Sequence, residues 1–451
     1  MEPDVVDSEL RAQSKNATGG PDHHAVAPKR GANAATVVAP LLEGLFGHHL
    51  PVRFEFWDGS GIGPTDGPGT LIVRSPTAIS RMLWAPGELG IGRAYVTGEL
   101  RADGDIFSVL QALHNAARPD LRAGPRSAFL AMRAALQLGV LGRPPARPAE
   151  EASPRGRRHS KSRDAAVISH HYDISNEFYR LVLGPSMTYS CARFVEPSTT
   201  LEAAQQSKHD LVCRKLGLHE QRGLRLLDVG CGWGSLALHA ASQYGAHVVG
   251  ITLSTAQADL ARLRVKEANL EDQVEIRVQD YRDLRGEQFD VISSIGMFEH
   301  VGTERTAEYF TNLHALLGDT GRLLNHAISS IGGSRMGRNS FIGRYVFPDG
   351  ELIDVGQVIL AMERAGFEVR DVESLREHYA RTLRAWVGNL EANWDAIVAE
   401  VGVQRARVWH LYMAASANGF EDGGISIHQV LGVNPAADGR SGIPATRSTW
   451  A

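Results

Sequence analysis

Cysteine is scarce: Cys191, Cys213 and Cys231 are the only three in 451 residues, and no C-x-x-C pair occurs. That excludes a disulfide framework and gives no sign of a structural metal site, and a reducing cytoplasm is the compartment it fits. Long apolar runs are missing as well. No stretch reaches the roughly 18 apolar residues that crossing a bilayer demands, and residues 1–35 lack the apolar centre of a signal peptide. Nor is there an excess of charge of one sign. With 47 Lys and Arg against 51 Asp and Glu, the formal net charge of -4 removes any whole-chain electrostatic case for nucleic acid. What is present is 43% hydrophobic and 22% charged content in a chain long enough for two domains.

Residues 1–35, rich in Ser, Gly, Asn and Pro, offer too little apolar surface to offset the entropy of ordering and read as disordered. Residues 36–141 read as a smaller α/β domain, with alternation in Val52–Trp57, a glycine-rich turn, then Leu71–Val73. Within it, Phe129–Leu141 is apolar but too short to span a bilayer and is interrupted by Arg133. Either a packed helix or one lying in a membrane interface would explain it, and packing is favoured. Residues 142–163 form a proline-rich linker ending in Arg155, Arg157, Arg158, Lys161 and Arg163. Such cations are drawn to anionic headgroups at roughly 1 kcal/mol each near a charged membrane; a merely solvated linker is the alternative. Residues 433–451 read as a flexible tail.

Between residues 164 and 432 apolar strand patterns alternate with helical ones. Strands are expected at Leu224–Val229, His247–Thr252, Val274–Val278, Phe289–Ser294 and Arg322–Ile328, and helices at Ser235–Gln243, Thr255–Ala268 and Glu304–Leu317. The fold class is therefore α/β, a doubly wound, mostly parallel sheet with a smaller N-terminal α/β domain. Ligands bind such sheets at the carboxyl ends of the strands, where Gly230, Thr252, Asp280, Ile295–Glu299 and His326 fall.

The first of these strands runs into Gly230, Gly232 and Gly234. Missing side chains let the backbone turn tightly and a ligand lie against it, although a bare strand-to-helix connection has the same glycines. The spacing G-x-G-x-G behind Asp228 differs from the G-x-G-x-x-G that cradles a pyrophosphate. It resembles the S-adenosylmethionine loop of class I methyltransferases.

Six further stretches fall in line: His170-His-Tyr-Asp-Ile-Ser-Asn-Glu-Phe-Tyr179, Met187-Thr-Tyr-Ser-Cys191, Gly250-Ile-Thr-Leu-Ser-Thr-Ala-Gln257, Gln279-Asp-Tyr-Arg-Asp283, Met297-Phe-Glu-His-Val-Gly302 and His378-Tyr-Ala-Arg-Thr-Leu-Arg-Ala-Trp386. Together with the glycine loop they resemble the cyclopropane-fatty-acyl-phospholipid synthases. That resemblance implies S-adenosylmethionine lying against Gly230, Gly232 and Gly234, with Tyr189 and Ser190 over its methionine portion, Thr252 and Gln257 at the ribose, and Asp280 and Tyr281 at the adenine. It further implies bicarbonate as proton acceptor, held by Cys191, Glu299, His326, Ile328 and Tyr379. Taken singly, His326 and Cys191 read as structural residues.

The implied reaction adds a one-carbon unit to the double bond of an unsaturated phospholipid acyl chain through a carbocation, which closes to a cyclopropane ring. A methylene- or methyl-branched chain is the alternative, with a reductase partner. Aromatic faces shield such a cation, and Phe298, Phe341, Tyr345, Tyr379 and Trp386 are candidates, some of them expected to be core alone. Asn325, where leucine is common in the family, puts a polar neighbour beside His326. The resemblance also implies peripheral association with the inner face of the membrane, helped by the N-terminal domain, and admits a homodimer. Two rivals are a methyltransferase for small polar acceptors such as amines, which the aromatic set opposes, and a non-catalytic scaffold that keeps the cofactor fold.

Overall fold

The computed structural model describes residues 33–117, 125–152, 156, 158–172, 174–333, 337 and 340–450. Residues 1–32, Arg155 and Arg157 lie outside the described set. The N-terminal unit opens with the helix Ala34–Phe46, so order begins just inside the segment expected to be disordered; the Asn33 side chain accepts from the Thr36 amide and caps it. Strands β1 (Arg53–Phe56), β2 (Gly61–Ile62), β3 (Gly69–Val73) and β4 (Leu100–Gly104) form a sheet in the order β2-β1-β3-β4. Phe54, Phe56, Leu71 and Val73 alternate onto its buried face, against helices Ala34–Phe46, Pro76–Trp84, Glu88–Val96 and Ile106–Ala116.

The second sheet has seven strands: β5 (Arg225–Val229), β6 (His247–Thr252), β7 (Val274–Val278), β8 (Phe289–Ile295), β9 (Leu317–Ser330), β10 (Glu368–Ser374) and β11 (Ile425–Val433). Their order is β10-β11-β9-β8-β5-β6-β7. The five strands expected from sequence are all present and pair in parallel; the inner ones are continuous apolar runs because both their faces are buried, whereas β7, at the sheet edge, alternates. The antiparallel strands β11 and β10 extend the sheet beyond β9. Chain order reverses between β5 and β8, which opens a crevice at their carboxyl ends. One apolar cluster lies on each face of the sheet, and a third, strongly aromatic one caps this end between the helices Asn176–Leu183, Arg376–Ala392 and Val403–Glu421.

Two expectations are corrected. The last residues are anchored to the domain at a few points although most of residues 437–448 are exposed: Arg322 donates to the Gly442 carbonyl at 2.6 Å, Arg447 pairs with Asp371, and Trp450 is buried in the cluster containing Leu324 and Leu431. Nor are the described cations of the basic stretch free to meet headgroups. Arg158 and Arg163 both bind Asp349, at 3.2 and 2.5 Å, and Lys161 opens the helix Lys161–Tyr172 with its ammonium on Asp283. No helix among the described residues is long and apolar enough to cross a membrane.

Candidate active site

At the carboxyl end of β5 the chain turns on glycines with left-handed φ, +80° at Gly230, +55° at Gly232 and +79° at Gly234. The Gly230 and Cys231 amides both donate to the Ile251 carbonyl, at 2.9 and 3.0 Å, and tie the turn to β6. The glycines then differ in purpose. A Cβ on Gly232 would meet nothing within 4 Å, one on Gly230 would approach Met297 at 3.0 Å, and one on Gly234 would press on Ala261 at 3.3 Å. Gly232 therefore lies bare beneath open space, while Gly234 serves the packing of the helix Ser235–Tyr244.

That space is a cleft open to solvent. Tyr189, Ser190, Gly230, Gly232, Thr252, Gln257, Asp280 and Tyr281 line it, bringing together eight of the nine residues expected at the cofactor; Gly234 is the exception. The Thr252 hydroxyl donates to Gln257 Oε1 at 2.8 Å. Burial alone would raise the Asp280 carboxyl, but the Arg282 guanidinium holds it below its ordinary value through bonds of 2.6 and 2.9 Å. Arg282 also reaches Asp164 at 3.0 Å, which anchors the start of the helix Lys161–Tyr172 at the cleft.

Several lining residues escaped the sequence reading, Lys208 above all. It sits on the helix Leu201–Lys215, whose composition resembles a solvent-exposed helix, yet Lys208 is fully buried and donates to Ser190 Oγ at 2.9 Å. Burial draws its ammonium down to about 8, against the pull of Cys191 and Asp228. Burial likewise pushes Asp228 up to about 6, opposed by the Ser293 hydroxyl at 2.8 Å and by Lys208. Gln205 donates to the Thr188 and Ser190 carbonyls and Ser235 to that of Ser186, so the segment 186–191 is fastened beside the glycine turn.

The five residues expected at bicarbonate form a second group, none of them lining the cleft. Cys191 donates its thiol to the Ala192 and Leu375 carbonyls at 3.2 and 3.6 Å, and the Tyr379 amide donates to the same Leu375 carbonyl. The Leu375 amide bonds Ile427, which pairs with Ile328 across β11 and β9. The Ile328 amide in turn donates to Glu299 Oε1 at 2.7 Å. One continuous chain of contacts thus joins Cys191, Tyr379, Ile328 and Glu299. His326, two residues before Ile328, has Nδ1 at 3.3 Å from the Gln429 amide nitrogen. Glu299 Oε2 and His326 Nε2 are buried with no hydrogen-bond partner among the described residues. Burial pushes Glu299 up to about 7, His326 well below its ordinary range and the Cys191 thiol upward, so all three favour their neutral forms. The expectation for Asn325 is corrected: it is buried, but neighbouring residues of a strand face opposite sides of the sheet, so it does not share the side of His326.

Phe341, Tyr345, Tyr379 and Trp386 share the aromatic cluster with Tyr179, Trp233, Trp409 and Tyr412. Phe298 does not; it packs on Tyr309 and Phe310 on the other side of the domain. Tyr189 connects cleft and cluster, lining the first while its ring lies 5.3 Å from Trp386 and 5.7 Å from Trp409.

The model of the mycolic acid cyclopropane synthetase family matches residues 159–430. The chain belongs to this family. Among its relatives, a probable fatty acid methyltransferase of Mycobacterium tuberculosis is 43% identical over 416 residues, covering 90% of this chain and 95% of that one. The cyclopropane-fatty-acyl-phospholipid synthase of Escherichia coli K12 is 38% identical over 272 residues, covering 60% and 69%. A solved mycolic acid cyclopropane synthase complexed with SAH and CTAB is 35% identical with a TM-score of 0.56, covering 60% of this chain and 98% of its own. This synthetase-family member is an S-adenosylmethionine-dependent methyltransferase, and its cleft fits that molecule. It offers bare backbone at Gly232, neutral polar groups at Thr252 and Gln257, a carboxylate with spare lone pairs at Asp280 and a flat ring at Tyr281.

Proposed function

We propose that the protein transfers a one-carbon unit from S-adenosylmethionine to the double bond of an unsaturated acyl chain in a membrane phospholipid, and that the resulting cation closes to a cyclopropane ring. The observation that carries this is the junction at Tyr189, where the cofactor cleft meets an aromatic cluster with Tyr179, Trp386 and Trp409 beyond it. Bound S-adenosylmethionine supplies an electrophilic methyl group. Gly230, Gly232, Thr252, Gln257, Asp280 and Tyr281 would hold it, with Ser190 positioned by Lys208. The rings keep water from the acyl chain and present faces that favour a positive charge.

Proton removal then needs a base, and two of the side chains are poor ones: Cys191 is held as the thiol, and burial leaves His326 a weak proton acceptor. Bicarbonate suits the two orphaned atoms, Glu299 Oε2 and His326 Nε2, and would supply the proton acceptor there. With Nδ1 accepting from Gln429, His326 presents Nε2–H as a donor. The Ile328 amide and the Cys191 thiol are already engaged within the fold, on Glu299 Oε1 and the Ala192 carbonyl.

A second reading keeps the first step and ends in a methylene- or methyl-branched chain, with a reductase partner. It is favoured by the relatives matched over nearly their whole length, named as fatty acid methyltransferases and, at 33% identity over 412 residues, a tuberculostearic acid methyltransferase. The working place of the enzyme is the inner membrane surface, reached from the water side. Incubation with labelled S-adenosylmethionine and vesicles of unsaturated phospholipid, followed by mass and proton NMR analysis of the acyl chains, tests both readings. Cyclopropane resonances mark the first and vinylidene or methyl-branch signals the second; no label in lipid refutes the proposal.

A further inference from the structure

The helix Pro125–Leu138 lies at the edge of the N-terminal unit and packs by a narrow face. Ala134 and Ala135 are buried, and Leu130 sits over Gly44 of the helix Ala34–Phe46, where a Cβ would meet it at 3.5 Å. The opposite face is apolar and, among the described residues, uncovered. Phe129 is 66% exposed, Met132 50% and Leu136 64%, at spacings of three and four residues that place them in one stripe. Leu141 follows, 42% exposed, and Trp84, 52% exposed, ends the helix Pro76–Trp84, which packs alongside. Packing, favoured from the sequence for this stretch, accounts for only one side of the helix.

Charge decides what covers the other side. Residues 125–149 contain Arg126, Arg133, Arg143 and Arg147 and not one Asp or Glu. Arg133, Arg143 and Arg147 are exposed, and none of the three is in an ion pair among the described residues. A second copy of this face would bring like charges together, whereas anionic headgroups above an acyl layer match both the arginines and the stripe. The cations of residues 158–163, by contrast, are held by Asp349 and Asp283.

We infer that the Phe129, Met132 and Leu136 face of this helix, flanked by Arg133, Arg143 and Arg147, is the surface by which the protein seats itself on an anionic phospholipid bilayer. The inference rests on the lipid reading of the active site only for its purpose. The helix inserts its three apolar side chains at the depth of the upper acyl chains while the arginines stay among the phosphates.

The test is flotation of the full chain with vesicles of phosphatidylglycerol and phosphatidylcholine, and with phosphatidylcholine alone. Wild type should float with the mixed vesicles and far less with the neutral ones. The variant F129E/L136E should lose roughly tenfold or more of its partitioning, and R133E about fivefold on the anionic vesicles alone. Both sites are exposed, and thermal melts matching wild type confirm that the fold is intact. F129E/L136E should also keep wild-type turnover on unsaturated phospholipid dispersed in detergent micelles. Equal flotation of wild type and F129E/L136E overturns the inference. So does a fall in sedimentation from dimer to monomer with vesicle binding unchanged, which would assign the stripe to a second copy. Absence of labelled lipid in every presentation would refute the lipid reading while leaving the flotation result standing.

Discussion

Substituting Glu299 by Gln is expected to make the stability difference from wild type depend on pH, in a direction the structure dictates. Glu299 is only partly buried as a residue, but its carboxyl lies inside, with Oε1 accepting from the Ile328 amide at 2.7 Å and Oε2 buried and unpartnered among the described residues. Burial raises its carboxyl from 4.5 to about 7. Below about pH 4.5 the group is protonated in folded and unfolded chains alike. Between there and about 7 the unfolded chain releases the proton while the folded one keeps it, so wild-type stability falls as pH rises. At about 1.4 kcal/mol per pH unit the loss accumulates to about 3 kcal/mol and is constant at higher pH. Glutamine still offers a carbonyl to Ile328 but cannot ionise. Its amide nitrogen inherits the unpartnered position, a cost of about 1–3 kcal/mol that is the same at every pH. Denaturant unfolding of cofactor-free wild type and E299Q should therefore show the variant less stable at pH 4.5 and gaining about 3 kcal/mol on wild type by pH 8.5. Turnover on lipid should drop about a hundredfold. A stability difference that is flat across this range would refute the burial argument, and unchanged turnover would exclude Glu299 from the reaction.

Three other outcomes follow from the geometry. Gly232→Ala places a methyl in the open cleft at a left-handed φ, so calorimetry should show S-adenosylmethionine affinity reduced roughly tenfold or more with only about 1–2 kcal/mol of stability lost; unaltered affinity would mean the ligand does not lie on this backbone. Trp450→Ala should destabilise the protein by about 3–5 kcal/mol, and a melt identical to wild type would contradict the packing of the last residues. S-adenosylhomocysteine at a hundredfold excess over its Kd should stabilise wild type by about 2.7 kcal/mol. In Arg282→Leu, which leaves Asp280 and Asp164 without their shared cation, the same ligand concentration should stabilise less; an equal shift would exclude Asp280 from the site.

Sequence pattern was informative wherever one physical demand acted alone. The parallel strands β5, β6, β8 and β9 are buried on both faces over most of their length and so are written as apolar runs, and the glycine turn is written by its left-handed φ. Strand β10, Glu-Val-Arg-Asp-Val-Glu-Ser, carries four charges because its place at the sheet edge leaves much of it half-exposed, and it reads as loop. Strand β11 needs β9 as a partner a hundred residues away, which no local pattern records. Lys208 shows the same limit at the site. A lysine among Gln, Ser, His and Asp signals a wet helix, and only the fold reveals Ser190 and Asp228 waiting beside it. The tail was misread for the same reason: its Gly and Pro content describes a chain without regular structure, and nothing local says that Trp450 fits a hole in the core.

Cys191 has a use that its place in the fold creates. Its thiol is shut between the Ala192 and Leu375 carbonyls, at the seam where the segment holding Tyr189 and Ser190 meets the helix Arg376–Ala392. With ionisation suppressed by burial, an alkylating reagent reaches the sulfur only when that seam parts. The rate at which Cys191 is labelled, read by peptide mass spectrometry against Cys213 and Cys231, becomes a direct record of how often the seam opens, and of how far an occupant of the neighbouring cleft holds it closed.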